Sequence, residues 1–237
     1  MESLNGDVVR SLIVFDMDGV LAEVTESYRE GIVQTVAYFT GQRIERELIQ
    51  DYKNRGGWNN DWALSRKIAA DLGVDVDYDT VVDRFNLFFL GPNGDGQGLI
   101  QRESWFPKPG FLERLGERHD LAIYTGRVRY EAAITLQRFA GGVRFDPVLC
   151  ADEIAVGKPA PDGLIEIQRR RPDRKLWYVG DTVDDARCAG AAGVPFIGVA
   201  AQSHAKRDAL VDLFKQEKAV AIVENVNQIE EALWQSV

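Results

Sequence analysis

The sequence predicts a doubly wound α/β fold, with a parallel sheet between two helical layers, from two patterns along its 237 residues. Five short apolar runs are continuous rather than alternating, as expected of strands buried on both faces of a parallel sheet. Helical patterns lie between the later runs, and this alternation of strand and helix is typical of α/β folds. We therefore expect a Rossmann-like core.

The elements of this core follow one another along the chain. The predicted strands cover residues 11–15, 121–124, 176–179, 195–199 and 219–223. The predicted helices among the later strands cover residues 128–139, 161–170, 184–191 and 225–234. Ligands of open parallel sheets bind outside the carboxyl ends of the strands, so the residues that follow each strand are the candidates for chemistry.

A helical insertion is predicted between the first and second strands. Helical patterns cover residues 26–39, 44–52, 61–72 and 80–89, with no convincing strand among them. Such a block reads as a separate small domain, and the glycine-rich stretch GPNGDGQG at 91–98 suits its far linker. We expect a core formed by residues 1–24 and 104–237, and an inserted helical domain at 25–103.

Composition and charge exclude several classes of function. The formal net charge of -9 disfavours a surface for nucleic acid or an anionic membrane, because phosphate backbones are bound by clustered Lys and Arg. No signal peptide is recognisable, and no apolar run approaches the roughly 18 residues of a membrane span. Cys150 and Cys188 are too few for a disulfide framework. These features predict a cytoplasmic enzyme without nucleic-acid or membrane partners.

Reactive side chains follow the predicted strands. In LIVFDMDGV, residues 12–20, two carboxylates stand two positions apart, so that in an extended chain they point the same way. Further polar residues follow the later strands in IYTGR and VGDTVDD, and GKPAPD places a lysine just ahead of a helix. The set is Asp16, Asp18, Thr125, Lys158, Asp181, Asp184 and Asp185.

The chemistry of this set favours a phosphoryl site. Carboxylates gathered without a cation repel one another, and oxygen ligands with no nearby His or Cys suit Mg²⁺ better than zinc. Thr125, the backbone N–H groups of Gly126 and Arg127, and the Lys158 ammonium are candidate anion donors. Each residue alone also has a structural explanation, because Thr125 and Asp181 could cap the helices that follow them.

Four motifs in order give the chain a resemblance to a known family. They are DMDGV at 16–20, YTGR at 124–127, GKP at 157–159 and VGDTVDD at 179–185. Together they resemble the haloacid dehalogenase superfamily of phosphohydrolases, in its branch with a helical cap. The resemblance implies that the insertion is that cap, which would close over the site and read the leaving group.

The resemblance also implies a role for each core residue. Asp16 would attack phosphorus and form an aspartyl-phosphate, and Asp18 would protonate the leaving group and then activate water. Thr125, Gly126 and Lys158 would bind the phosphoryl oxygens. Mg²⁺ would be held by Asp16, the Asp18 carbonyl and Asp181. The family spacing GDxxxD matches Asp181 and Asp185, so Asp185 is preferred as an outer member of the metal site, with Asp184 as the alternative.

Several functions remain open at this point. Dehalogenases of the family lack an acid two residues after the nucleophile, so the presence of Asp18 argues against carbon–halogen cleavage. The main expectation is a phosphatase acting on a small phosphorylated metabolite. The alternatives are a phosphomutase of the β-phosphoglucomutase type, a phosphatase related to histidine biosynthesis, and a non-catalytic binding module. A dehydratase is disfavoured because its known site needs many histidines, and this chain has two.

Substrate contacts are expected from YKNRGGWNNDW at 52–62, with Arg55, Trp58 and Asn59 as the candidates. A structural reading competes: Asn60 would cap the next helix, Gly56 would end the previous one, and Trp58 and Trp62 would form a core stripe. Arg127 departs from the Thr-Asn or Thr-Ser common in the capped branch. It is expected to contact the substrate, to seal the site, or to point to solvent.

Overall fold

The computed structural model of the chain describes residues 10–202 and 206–235. The strands are β1 Leu12–Phe15, β2 Ala22–Glu23, β3 Ser104–Trp105, β4 Asp120–Tyr124, β5 Val148–Leu149, β6 Leu176–Gly180, β7 Phe196–Val199 and β8 Ala221–Val223. The helices are α1 Tyr28–Thr40, α2 Arg46–Arg55, α3 Asp61–Asp71, α4 Tyr78–Phe89, α5 Phe111–Arg118, α6 Arg129–Phe139, α7 Asp162–Arg170, α8 Val183–Ala192, α9 Arg207–Gln216 and α10 Ile229–Gln235. Short 3-10 turns cover Leu99–Arg102, Ala151–Glu153 and Val226–Gln228.

Six strands form one parallel sheet in the order β5-β4-β1-β6-β7-β8. Successive residues of β1 point to opposite faces: Ile13 and Phe15 pack into one apolar cluster with α5 and α10, and Leu12 and Val14 into another with α7 and α8. Helical layers therefore cover both faces of the sheet. The predicted doubly wound α/β class is confirmed.

Three features of the core were not predicted. The edge strand β5 has only two residues, which is too short to show a hydrophobic period. The helices α5 and α9 were not predicted either. Finally, β2 pairs antiparallel with β3, with Ala22 opposite Trp105, so the chain entering the insertion is bonded to the chain returning from it.

The insertion is helical, as predicted, and has an apolar core of its own. Helices α1 to α4 share a buried cluster that includes Ile32, Leu64 and Phe85. Within it, Tyr28 of α1 packs on Phe89 of α4, with ring centroids 4.0 Å apart. Across residues 10–202 and 206–235, none of the helices combines the length and the hydrophobicity needed to cross a membrane.

Candidate active site

The candidate residues of the core meet at the carboxyl edge of the three central strands. Asp16 follows β1, Thr125 follows β4 and Asp181 follows β6, and β1 lies between the other two strands. The Asp16 N–H donates to Val179 O (2.8 Å) and the Thr125 N–H to Leu149 O (3.1 Å), so the sheet ladder continues to these positions. This ladder fixes the direction in which each side chain leaves the sheet.

Lys158 is the buried cation of the site. Its Nζ lies 2.9 Å from Asp16 Oδ1 and 2.8 Å from Asp185 Oδ1, and it donates to the Tyr178 hydroxyl at 3.1 Å. Burial opposes its charge, but the two carboxylates hold the pKa of Lys158 well above its ordinary value. Lys158 therefore remains an ammonium that fixes the Asp16 carboxylate.

Asp185 is fully engaged by protein donors. Its Oδ1 accepts from Lys158 and from the Tyr178 hydroxyl (2.8 Å), and its Oδ2 accepts from the Thr182 N–H (3.0 Å) and hydroxyl (2.6 Å). Burial opposes ionisation, yet Lys158 and these hydrogen bonds keep the pKa of Asp185 below its ordinary value. Asp185 thus keeps its negative charge and holds the Lys158 ammonium in place.

Asp181 has the opposite environment. Its side chain is buried, but no hydrogen bond or ion pair from the described part of the chain reaches its carboxylate. Burial, with the nearby charge of Asp185, raises the pKa of Asp181 to about 7. Burial also raises the pKa of Asp16 well above its ordinary value, although Lys158 opposes this. Two buried carboxyls that resist ionisation need a further cation to be charged at neutral pH.

These residues fit a divalent cation that prefers oxygen. Carboxylate oxygens of Asp16, Asp181 and Asp185 all lie within 4.8 Å of one another. Asp16 and Asp181 each have a carboxylate oxygen available to bind a cation, whereas both oxygens of Asp185 accept protein hydrogen bonds. The donor set contains no nitrogen or sulfur, which suits a hard cation of the magnesium type.

Asp184 contacts the insertion rather than the centre of the site. Both of its carboxylate oxygens accept from the Gly57 N–H, at 2.8 and 2.9 Å. A side chain on Gly56 would lie 3.0 Å from Asp184 and 2.2 Å from Arg187, so glycine permits this close approach. The turn after α2 is therefore docked on the start of α8.

Asp18 is held by Arg127. Two guanidinium nitrogens of Arg127, Nε and Nη2, donate to Asp18 Oδ1 at 2.8 and 2.5 Å. Arg127 is buried and also pairs with Glu103, so the expectation that it points to solvent is wrong. Thr125 is completely buried, and its hydroxyl accepts from the Arg127 N–H at 3.2 Å, which leaves the hydroxyl proton available to a ligand.

A cavity of about 90 Å³ lies between the strand ends and the helical insertion. Of the predicted residues, Asp16, Asp18, Asp181, Gly126, Arg127 and Asn59 line it. A Cβ on Gly126 would lie only 2.5 Å from Asn59 Nδ2, so the Asn59 amide sits directly over the Gly126 backbone. Trp62 also lines the cavity.

Two predicted substrate contacts, Arg55 and Trp58, lie away from this cavity. The Arg55 guanidinium lies 5.1 Å from the centroid of the Tyr52 ring. Trp58 packs edge-on against the same ring and against the apolar core of the insertion. Arg55 is the last residue of α2 and its side chain is exposed, whereas Trp58, in the turn that docks on α8, is half-buried against the insertion. Asn60 has the predicted capping role, because its side chain accepts from the Ala63 N–H at 2.9 Å.

Two cavity cations, Arg29 and Lys53, were missed by sequence reasoning. Arg29 donates to Gln50 Oε1 at 2.8 Å, and Lys53 lies 2.8 Å from Asp61 Oδ1. Both charges oppose the rise in the pKa of Asp181. One signal was available: Arg29 occupies the first turn of α1, where the helix dipole disfavours a cation, and such a placement suggests an anionic partner.

The fold and the site together define a class of protein: an α/β enzyme with a helical cap over a lysine and carboxylates suited to a cation and an anion. A family model described as haloacid dehalogenase-like hydrolase matches residues 11–193. The chain belongs to this family. The predicted family is therefore confirmed, and with it the prediction of a hydrolase.

Relatives of this chain carry names of two kinds. An imidazoleglycerol-phosphate dehydratase of Phytophthora nicotianae is 32% identical over 82% of this chain, which spans only 44% of that relative's length. IndB of Dickeya dadantii, named a probable phosphatase, is 28% identical over 88% of this chain and 92% of its own. The solved structure of a predicted phosphoglycolate phosphatase from Haemophilus somnus has a TM-score of 0.74 and 18% identity, covering 96% of this chain and 100% of that one.

Proposed function

We propose that this protein is a Mg²⁺-dependent phosphatase that cleaves a small phosphorylated metabolite through an aspartyl-phosphate on Asp16. The observation that carries the proposal is that Asp16 lies between a buried lysine and a second buried carboxyl group. Lys158 neutralises one side of the nucleophile at 2.9 Å, and on the other side Asp181 is buried without a protein partner among the described residues. Such a pair suits a cation and an anionic substrate bound together.

When bound at Asp16 and Asp181, Mg²⁺ would screen the repulsion between the nucleophile and the phosphate and orient the phosphoryl group. The remaining binding groups belong to the chain itself. The Thr125 hydroxyl and the Gly126 N–H offer donors to the phosphoryl oxygens, the Lys158 ammonium adds its positive charge, and the helix that follows Gly126 adds a favourable dipole.

The reaction has two steps. In the first, the Asp16 carboxylate attacks phosphorus while the bond from phosphorus to the bridging oxygen breaks, and that oxygen takes the proton of Asp18. In the second, the oxygen of a water molecule attacks phosphorus while Asp18 takes a proton from that water, and the bond between Asp16 and phosphorus breaks. Inorganic phosphate leaves, and Asp16 and Asp18 return to their starting states.

The cap supplies the groups that read the rest of the substrate. We assign this role to Asn59, Arg29 and Lys53, which line the cavity opposite the strand ends, in place of Arg55 and Trp58. We propose that the cap comprises residues 25–103, between the paired linkers β2 and β3, and the core residues 1–24 and 104–237. Cys150 and Cys188 are both buried and free, which supports our proposal of a cytoplasmic location.

The names of the relatives do not favour another reaction. The relative named as a dehydratase matches over less than half of its length. A dehydratase site would need several histidines, but His119, the one histidine in the described ranges, lies away from the candidate site, in a cavity that it lines with Asp120 at the start of β4. A phosphomutase of the β-phosphoglucomutase type uses the same first step, and is therefore the alternative that the experiment must separate.

The test is release of free phosphate from p-nitrophenyl phosphate with Mg²⁺ and after chelation. Wild-type protein and a control, Asp120→Asn at the opposite edge of the sheet, should release phosphate only with the metal. Asp16→Asn should be inactive, because the amide cannot serve as the nucleophile. Activity of Asp16→Asn equal to that of the control would contradict the proposal. A sugar phosphate that is isomerised without release of free phosphate would instead indicate the mutase.

A further inference from the structure

Arg127 is buried beside Asp18, and its guanidinium has no donor left for a ligand. An arginine side chain carries five N–H donors. Nε and Nη2 donate to Asp18 Oδ1 (2.8 and 2.5 Å), Nη1 and Nη2 donate to Glu103 (3.3 and 2.9 Å), and Nη1 donates to Thr135 Oγ1 (2.6 Å). These five bonds use every donor, and the side chain is 0% exposed. Arg127 therefore does not bind the substrate in this arrangement.

Glu103 anchors Arg127 from the segment that returns from the cap. Its side chain is 1% exposed and lies in the linker that returns from the cap to β3. It also accepts from the Thr135 hydroxyl at 2.7 Å and from the Ser27 hydroxyl at 3.3 Å. The ring of Tyr28 covers the guanidinium, with its centroid 4.8 Å away. The position of the guanidinium is thus set by these contacts, independently of Asp18.

The two oxygens of Asp18 have different environments. Both bonds from Arg127 go to Oδ1, and in the described ranges no hydrogen bond reaches Oδ2. The Asp18 side chain lines the cavity and is 30% exposed, so one of its oxygens is held in the protein and the other is open to a substrate. A carboxylate fixed in this way presents one defined oxygen to the leaving group.

We propose that Arg127, anchored by Glu103, is a positioning residue that fixes Asp18 so that its Oδ2 transfers the proton in both steps. This inference rests on the proposed function. In the first step the Oδ2 proton passes to the bridging oxygen as that oxygen leaves phosphorus. In the second step Oδ2 takes a proton from the attacking water. Arg127 keeps all of its protons and its charge throughout.

A misplaced acid affects substrates unequally, and this difference provides the test. An alkoxide leaves poorly without a proton, whereas nitrophenolate leaves readily, so an alkyl phosphate depends more on Asp18. We therefore compare kcat/KM for p-nitrophenyl phosphate, phenyl phosphate and an alkyl phosphate in wild-type protein and in Arg127→Lys. The parameter kcat/KM isolates the step in which the leaving group departs, because that step precedes hydrolysis of the aspartyl-phosphate.

Lysine keeps the charge at position 127 but cannot reach Asp18 and Glu103 with a planar fork. Arg127→Lys should lower kcat/KM by about 100-fold for the alkyl phosphate and by less than about 10-fold for p-nitrophenyl phosphate, the range expected when general acid catalysis is impaired. The inhibition constant of inorganic phosphate should not change, because Arg127 donates nothing to the phosphoryl group. Asp18→Asn should show the steepest dependence on the leaving group.

A second variant covers the case in which the buried lysine prevents folding. The pair Arg127→Met with Glu103→Met removes both buried charges at similar volume, a kind of exchange that proteins often tolerate. It should fold and show the same loss, selective for the alkyl phosphate. The matched control is Arg171→Lys, because Arg171 is a partly buried arginine that pairs with Asp120 at the opposite edge of the sheet.

The outcomes separate the two proposals. Equal losses of kcat/KM for all three substrates in a folded Arg127 variant, or a loss explained by weaker binding of inorganic phosphate, would overturn the positioning role and leave the phosphatase proposal intact. Failure of wild-type protein to release phosphate from any of the substrates would overturn the proposed function itself. A loss confined to poor leaving groups, absent in Arg171→Lys, supports both.

Discussion

Replacing Asp181 by asparagine should stabilise the metal-free protein at alkaline pH, although it removes a residue of the candidate metal site. Burial and the charge of Asp185 raise the pKa of Asp181 from 3.8 to about 7. Between these values the folded carboxyl holds a proton that the unfolded chain has lost. The folded state binds more protons in that window, so stability falls as the pH rises.

The magnitude follows from the size of the window. About three pH units at about 1.4 kcal/mol each give a cost of at most about 4 kcal/mol at pH 8. At pH 5 only about one unit has been crossed, so the cost is less than about 2 kcal/mol. Asparagine has a similar shape and does not titrate, so it avoids the cost. For a chain of this size, 4 kcal/mol corresponds to a rise of roughly 10 °C in Tm at pH 8.

Thermal melting of chelated protein at pH 5 and pH 8 measures this effect. Asp181→Asn should melt above wild-type protein at pH 8, and the difference should shrink at pH 5. Adding Mg²⁺ at pH 8 should raise the Tm of wild-type protein but not that of the variant. Asp120→Asn is the control, and it should change Tm in the opposite direction. Burial opposes ionisation of Asp120, but Arg174 and Arg171 lower its pKa, so removal of this carboxylate should destabilise the protein at both pH 5 and pH 8. A metal-free variant that melts below wild-type protein at pH 8 would show that ionisation of Asp181 does not destabilise the folded state.

Three further substitutions test other parts of the site. Gly19→Ala places a methyl group at a position where φ is +73°, only 1.9 Å from Asp181 Oδ2. This substitution should lower the free energy of unfolding by about 1–2 kcal/mol through backbone strain and abolish metal-dependent turnover. Gly142→Ala, whose methyl group would meet no neighbour, should have no effect in the same assays. Lys158→Met leaves the Asp16 and Asp185 carboxylates without their shared cation, and chemical denaturation should show a loss of about 3–5 kcal/mol together with loss of activity. Asn59→Ala should reduce kcat/KM about 10-fold, roughly the contribution of one hydrogen bond, whereas Arg55→Ala, outside the cavity, should leave it nearly unchanged.

The centre of the site was predictable because it depends on local order along the chain. A continuous apolar strand that ends at Asp16, followed later by Thr125 and Asp181 at two other strand ends, places these residues at one edge of a parallel sheet whatever the details of packing. The sequence also predicted Lys158, although not the contacts with Asp185 and Tyr178 that hold it. Those contacts depend on how α8 and β6 approach the loop that carries Lys158.

The contacts between cap and core were less predictable, because they depend on how two separately packed units meet. Arg55 ends α2 and Asn59 follows four residues later, beyond the Gly57 N–H that donates to Asp184; of the two, Asn59 lines the cavity. The role of Arg127 was also hidden. Its partner Glu103 is distant along the chain and lies in a linker without a recognisable motif, so no local pattern predicts their pairing.

Acid quenching detects directly whether Asp16 becomes phosphorylated during turnover. Asp18→Asn should slow hydrolysis of the intermediate, so this variant is mixed with an aryl phosphate and Mg²⁺, quenched in acid, digested and analysed by mass spectrometry. Phosphorylation of Asp16 should leave one phosphoryl group on the peptide that contains this residue, and none when Asp16→Asn is added to the variant. Release of phenol and phosphate with no phosphoryl group on that peptide at any time point would contradict this expectation.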